Sequence, residues 1–182
     1  CNIYGKADKL SINEIFDHIH HYTFWPVEMP MYKAKFNLNT FPNDSLKISN
    51  SIKVSATLHG HPNGANSYRL EIGNSVIIYC TDIEHPNNSL NPNIIDFCKD
   101  ADILINDAQF TDAQLPKHKG WGHSSWQQST ALAKKANVKQ LILFHHNPDN
   151  DDDEIDNIEQ AAKTIFPNTM AAREGLEITF PN

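Results

Sequence analysis

The chain has 182 residues, of which 40% are hydrophobic and 20% charged, so it is long and apolar enough for one globular domain. Its formal net charge of −7 gives no overall attraction to nucleic acid or anionic membranes. No apolar run approaches the roughly 20 residues that cross a bilayer, and the three cysteines form no C-x-x-C pair, which favours reduced thiols and a cytoplasmic location.

The first predicted elements are a strand and a helix. The segment Asn2-Ile3-Tyr4 has the character of a strand, and because the chain opens inside it we expect further sequence before Cys1. Ser11 and Glu14 form an S-x-x-E capping box, which predicts a helix that ends before Pro26.

Four strands are predicted next, over residues 32–38, over residues 48–58 and within SYRLEIGNSVIIYCTD. The last two are joined by Gly73-Asn74, a turn that is typical of an antiparallel hairpin. The nearly continuous apolar run VIIYC indicates a strand that is covered on both faces.

The second half alternates between helices and strands. Helices are predicted over residues 92–99, over residues 125–136 with a capping box at Ser124 and Gln127, and after the acidic run 149–154. Strands are predicted in DILIND, QLILFH and, at the end, LEITF. Antiparallel strands followed by this alternation predict a layered α/β domain with a mixed sheet, spanning residues 1–182.

Polar residues stand where the predicted strands end: His61, Asp82, Asp107 and His145, with His123 on a loop just before a helix. One such residue alone is ordinarily a turn or cap residue. In α/β sheets, however, strand ends are also where side chains converge on a ligand. Imidazole and carboxylate together suit zinc, iron or manganese, and two imidazoles with one carboxylate can hold a single metal ion.

Three segments resemble the metallo-β-lactamase superfamily, in its ribonuclease Z-like and phosphodiesterase-like branch. They are HPNGANSYRLEIGNSVIIYCTDIEH, DAQFTDAQLPKHKGWGHSSWQQSTALAKKANVKQLILFHH and FPNTMAAREGLEITFP. The resemblance runs from about His59 to the end of the chain. It implies the αββα sandwich of that superfamily, in which mixed sheets are flanked by helices.

The same resemblance implies a role for each strand-end residue. His61 matches a ligand of one metal ion, Asp82 the carboxylate that bridges two, and His145 a ligand of the second. His123 matches a histidine that stabilises or protonates at the phosphate without binding metal, and Asp107 the acid that orients it. The implied cofactors are two divalent ions, zinc first, with manganese or iron as alternatives.

One motif of the family is absent. The motif H-x-H-x-D-H does not occur in this sequence, and in relatives it precedes the strand that corresponds to IYG, so we expect the chain to be the C-terminal part of such a domain. The segment DHIHH is a superficial lookalike, since the apolar stripe of its helix leaves His18 and His21 facing solvent. His146 matches no ligand and is interpreted as a supporting or rim residue.

The resemblance implies a metal-dependent phosphodiesterase that uses a hydroxide bridging two metal ions. The expected substrate is a small phosphodiester, a cyclic nucleotide or an RNA end, with no membrane partner and with a homo-oligomer as a possible assembly. Two alternatives stay open: a non-catalytic binding or regulatory module with this fold, and a diiron flavoprotein-type oxidoreductase. Because the H-x-H-x-D-H ligands are absent, residues 1–182 alone are expected to be inactive.

Overall fold

The computed structural model describes residues 1–5, 10–27, 31–42, 45–86 and 89–179. Within them the helices are α1 Ile12–Ile19, α2 Pro92–Cys98, α3 Trp126–Lys135 and α4 Asp152–Ile165. The strands are β1 Asn2–Gly5, β2 Asn37–Thr40, β3 Leu46–Lys47, β4 Ile52–His59, β5 Ala65–Ile72, β6 Ser75–Cys80, β7 Ile103–Asp107, β8 Gln140–Phe144 and β9 Thr169–Ala171. Among the helices in these ranges, none is long and apolar enough to cross a membrane.

One mixed sheet organises the chain. Its seven strands lie in the order β3-β4-β5-β6-β7-β8-β9, while β1 and β2 pair with each other in parallel. The pairs from β3 to β6 are antiparallel, and those from β6 to β9 are parallel. Helices α2, α3 and α4 make the crossovers that parallel neighbours require. The predicted α/β class with a mixed sheet is therefore confirmed.

The main core lies between the parallel strands and these three helices. Alternate strand residues point into it, and their side chains are fully shielded from solvent: Ile78, Leu104, Leu141 and Leu143. From the helices come Ile94, Leu132 and Ala162, which are equally shielded. Close packing on this side holds β6, β7 and β8 rigidly, so residues at the ends of these strands have a firm support.

Strand β6 is covered less completely than its apolar sequence predicts. Ile78 and Cys80 are fully buried, but Tyr79 on the opposite face remains 37% exposed. Its ring lies 6.0 Å from that of Phe144 on β8, which is also 37% exposed. The prediction that VIIYC is buried on both faces was wrong at Tyr79, because a phenol is apolar enough to extend the pattern yet tolerates water at its hydroxyl.

The predicted cap of α1 is confirmed, whereas the predicted cap of α3 lies one residue away from the observed one. Ser11 and Glu14 form the predicted capping box of α1. At α3 the cap is Ser125, which pairs with Gln128, so the prediction of a box at Ser124 was one residue early. Ser124 is unavailable as a cap because its hydroxyl donates to the carbonyl of Ile83 at 2.5 Å.

Two strand predictions needed correction at their ends, and a third was wrong over its described residues. Only residues 37–38 of the predicted strand 32–38 lie in a strand, and the strand predicted from residue 48 begins at Ile52. The backbone N–H of Ile48 instead closes a turn onto the Ile52 carbonyl at 2.9 Å. Residues 176–179 of LEITF lie outside any strand, and Phe180 lies outside the described residues. The strand that pairs with β8 is instead β9, Thr169–Ala171.

Candidate metal centre

The topology brings the candidate residues to one edge of the sheet. Asp82, Asp107 and His145 stand at or just after the ends of the parallel strands β6, β7 and β8. His61 follows β4, which runs in the same direction as β6 because both are antiparallel to β5. All four side chains therefore start from the same edge, as expected of a ligand site in an α/β sheet.

Distances between side chains show that they share one cleft. Nε2 of His145 lies 3.8 Å from Oδ1 of Asp82. Potential ligand atoms of His61, Asp82 and His123 lie within 4.8 Å of one another. The rings of His123 and His145 stack with centroids 4.8 Å apart, and those of His61 and His123 meet edge to face at 6.0 Å. The structure thus brings together His61, Asp82, His123 and His145.

Two of these residues have an unusual backbone. Asp82 has a φ of 56° and His145 a φ of 57°, in the left-handed region that costs L-residues about 1 kcal/mol or more. Both side chains are partly exposed, at 39% and 33%. The hydroxyl of Thr81 donates to Oδ2 of Asp82 at 2.9 Å and so orients its carboxylate. Strain of this kind persists where the surrounding structure fixes a geometry, and here it turns both side chains into the cleft.

Asp107 is a buried acceptor whose oxygens are already occupied. Its side chain is completely shielded from solvent. Oδ1 accepts the backbone N–H groups of Gln109 at 3.2 Å and Ser124 at 3.1 Å. Oδ2 accepts the backbone N–H of Asp82 at 3.0 Å and Nδ1–H of His123 at 2.9 Å. Although Asp107 is near enough to His123 and His145 to complete a metal-binding group, these bonds leave it little capacity to bind a cation.

His123 is held in one tautomer by Asp107. Because its Nδ1–H donates to the carboxylate, its other ring nitrogen, Nε2, is the one left free to act in the cleft. The hydrogen bond to Asp107 raises the pKa of His123 above its ordinary value, against the opposing effect of burial. The ring therefore holds a proton more readily than an ordinary histidine, which suits a group that donates to developing negative charge.

Two further histidines lie buried beside this cleft. His59 is 8% exposed and His85 is 3% exposed. Burial lowers the pKa of both, and that of His85 falls to about 4. Nδ1 of His85 lies 3.4 Å from the backbone N–H of Asn91 and accepts from it, so the ring is neutral with its proton on Nε2. Neither belongs to a group able to hold a metal ion in the described part of the chain.

The remaining histidine candidates lie apart from these groups. Nε2 of His146 donates to the carbonyl of Ala172 at 3.2 Å, which ties its ring to the loop after β9. His18 on α1 is exposed, and its Nδ1 donates to the carbonyl of Glu14 at 2.6 Å. No histidine of DHIHH belongs to a metal-capable group among the residues that the structure describes.

Sequence reasoning missed one residue at this site, Glu84. Its two carboxylate oxygens accept the backbone N–H groups of Gly120 and Gly122, each at 2.9 Å. It also lines two cavities, one of about 310 Å³ that includes His123 and one of about 410 Å³ that includes His61. The one available signal was a pair of glycines just before His123, and this does not reveal which side chain binds them.

Comparison with known proteins supplies a family. Residues 14–146 match the Beta-lactamase superfamily domain. The ribonuclease Z of Gemmatimonas aurantiaca is 39% identical over 80 residues, which are 44% of this chain but only 25% of that protein. The matched segment therefore spans about a quarter of the length of that relative.

Solved structures agree on the fold. The metallo-beta-lactamase fold protein YhfI from Bacillus subtilis has a TM-score of 0.71 at 22% identity, covering 96% of this chain and 63% of its own. The Zn²⁺-bound PqqB from Methylobacterium extorquens has a TM-score of 0.63 at 14% identity, covering 98% of this chain and 62% of its own. Both likenesses concern the fold alone, and the fold is that of the metallo-β-lactamases.

Proposed function

Because this chain belongs to the Beta-lactamase superfamily, we propose that its site hydrolyses phosphodiesters with the help of bound divalent metal ions. The observation that carries the proposal is the bond between His123 and the buried Asp107, beside Asp82, whose ligand atom lies within 4.8 Å of those of His61 and His123 and 3.8 Å from Nε2 of His145. A general acid next to a set of metal ligands is the arrangement that hydrolysis of a phosphodiester needs. The similarity to a ribonuclease Z supports a phosphodiester as the bond cleaved.

His61, Asp82 and His145 are the residues that would hold the metal. Two imidazoles and a carboxylate are a donor set typical of zinc, and manganese or iron fit it too. Asp82 is within reach of both His61 and His145, which suits a carboxylate shared by two ions. When bound, such ions neutralise charge on a phosphate and lower the pKa of water towards neutrality.

The protein's own residues would handle the proton and the charge. Protonated His123 would donate from Nε2 to the oxygen that leaves phosphorus, while Asp107 keeps Nδ1–H engaged and the ring in position. The carboxylate of Asp107 also stabilises the imidazolium before the proton is given away. His123 is thereby a catalytic residue, and Asp107 acts through it.

The donor set limits what residues 1–182 achieve alone. Two imidazoles and one carboxylate suffice for one ion, whereas two ions need further donors of the kind that H-x-H-x-D-H supplies. We therefore expect residues 1–182 alone to bind one metal ion and not to hydrolyse phosphodiesters at an appreciable rate. Candidate substrates are a small phosphodiester, a cyclic nucleotide or an RNA end. We also propose a cytoplasmic location, which the free, buried thiols of Cys80 and Cys98 support. Self-association of the chain is proposed as well.

Metal analysis combined with a phosphodiesterase assay tests the proposal. Protein expressed from the complete reading frame is analysed for zinc, manganese and iron, and then assayed on bis(p-nitrophenyl) phosphate with and without a chelator. Hydrolysis that the chelator abolishes, and that added zinc or manganese restores, is the expected result. Bound metal without turnover would favour the binding module, and iron accompanied by a flavin partner would favour the oxidoreductase.

A further inference from the structure

The side chain of Glu84 joins two segments of the site that are far apart in sequence. It stands two residues after Asp82, and its carboxylate accepts the N–H groups on both sides of Trp121, those of Gly120 and Gly122. Bonds from a carboxylate to backbone N–H groups are stronger than those between neutral groups. Glu84 therefore fixes the backbone immediately before His123.

The turn that contains Gly120 and Gly122 lies against the ring of His61. Gly122 has a φ of 92°, and a Cβ atom placed there would lie 2.2 Å from Cδ2 of His61. Only a residue without a side chain allows this approach. Since Glu84 holds the N–H of Gly122, the side chain of Glu84 also determines how closely the turn supports the His61 ring.

The backbone of Glu84 supports His61 from its other side. The N–H of Glu84 donates to the carbonyl of Gly60 at 2.9 Å. A Cβ atom on Gly60 would lie 2.7 Å from the carbonyl oxygen of Glu84, so these two segments are in close contact. Gly60 directly precedes His61, and the imidazole is thus held through its own backbone and through Gly122.

We propose that Glu84 is a positioning residue of this site, which sets His61 for metal binding and His123 for proton transfer through the Gly120–Gly122 turn. The inference rests on the proposed function in treating His61 as a ligand. Glu84 is not itself offered as a ligand, because both of its oxygens are already bonded to backbone N–H groups. Supports of this kind typically change metal affinity by about 10–100-fold when they are removed.

Glu84→Gln is the informative variant, because it keeps the shape of the side chain but turns one acceptor into a donor. Cobalt titration, followed by visible absorption, should show a dissociation constant raised about tenfold or more and an altered spectrum. Glu71→Gln is the matched control, since Glu71 forms partly exposed ion pairs with Lys53 on β4 and Arg69 on β5. A loss of thermal stability with unchanged cobalt affinity and spectrum would overturn the proposal.

A second pair of variants tests the turn itself. Gly122→Ala should displace His61 and weaken cobalt binding, whereas Gly120→Ala should not. Gly120 has a similar φ of 83°, but a Cβ atom placed on it would meet no atom within 4 Å, so both changes carry the same backbone cost and only one carries a clash. Equal cobalt affinity in these two variants contradicts the proposal.

Nuclear magnetic resonance of the metal-free protein separates this inference from the proposed function. In Glu84→Gln, the amides of Gly120 and Gly122 should exchange about ten times faster, and the ring signals of His61 and His123 should shift. If the wild type binds no cobalt, the proposed function fails, but the ring shifts still support the positioning role of Glu84. Unchanged histidine signals in that variant overturn the role, whatever the metal result.

Discussion

Nδ1 of His123 lies 2.9 Å from Oδ2 of Asp107, a carboxylate that no solvent reaches. The same carboxylate accepts the backbone N–H of Asp82 at 3.0 Å. One buried acid thus orients the candidate proton donor and the segment that carries a candidate metal ligand. Removing the partner of a buried charge is costly. Substitutions of His123 and Asp107 should therefore have large, measurable effects.

Replacement of His123 should separate metal binding from turnover. In protein from the complete reading frame, His123→Ala should keep its metal content near that of the wild type. Turnover of bis(p-nitrophenyl) phosphate should fall about a hundredfold or more, which is the usual scale for a general acid. Elemental analysis and initial rates provide the two readouts. Lost metal would make His123 a ligand, and an unchanged rate would remove it from the mechanism.

Replacement of Asp107 should change the proton affinity of His123. The bond to this carboxylate raises the pKa of His123, so in Asp107→Asn that pKa should fall towards the value of an ordinary histidine. Titration of the metal-free protein by nuclear magnetic resonance measures the change at the His123 ring. Asp156→Asn is the matched control, since Asp156 is exposed and forms an ion pair with Arg173. An identical His123 titration in Asp107→Asn and the wild type would contradict this account.

Much of the framework could be predicted because it depends on local patterns. The alternation of apolar runs and capping boxes locates β6, β7 and β8 and the helices between them, and a strand end is where a polar residue first appears. Convergence then follows from parallel pairing, which gives His145 and Asp107 the same edge. These relations depend only on residue type and on the spacing of apolar residues, so they can be predicted from the sequence.

Other features depend on contacts that leave no local pattern. The hydrogen bond between Glu84 and Gly120 joins residues that are 36 positions apart, and no motif around Glu84 predicts it. The left-handed backbone of Asp82 and His145 is equally invisible, because these residue types occupy many conformations. The α3 cap was misplaced by one residue, because Ser124 and Ser125 both fit the motif and only the Ser124 bond to Ile83 decides between them.

Backbone strain at His145 should appear as a difference between two small substitutions. Both His145→Ala and His145→Gly remove the imidazole and should weaken metal binding. At a φ of 57°, however, alanine keeps a steric penalty that glycine lacks. In metal-free protein, His145→Gly should therefore be more stable than His145→Ala by about 1 kcal/mol, as measured by urea unfolding.

The exposed helix residue His18 provides the control for that comparison. His18 lies within α1, where glycine is less favourable than alanine by roughly 1 kcal/mol. The order of the two variants should therefore be reversed, with His18→Ala the more stable. If alanine is preferred at both positions, the strained backbone at His145 contributes nothing to stability.

The buried ring of His85 should make the metal-free protein sensitive to acid. Burial, assisted by repulsion from His59, lowers the pKa of His85 from 6.5 to about 4. The unfolded chain therefore binds a proton more readily than the folded protein. The stability that His85 contributes is fully present above about pH 6.5 and is lost as pH falls towards about 4. At about 1.4 kcal/mol per pKa unit, the loss amounts to about 3 kcal/mol.

The substitution His85→Gln should remove most of this dependence. Glutamine is neutral and can still accept the N–H of Asn91, so the variant should lose less stability than the wild type between pH 6.5 and pH 4. Urea unfolding at half-unit steps of pH measures the difference, which cancels the contributions of other groups such as His123. Parallel curves for His85→Gln and the wild type would mean that His85 takes up its proton without unfolding the chain.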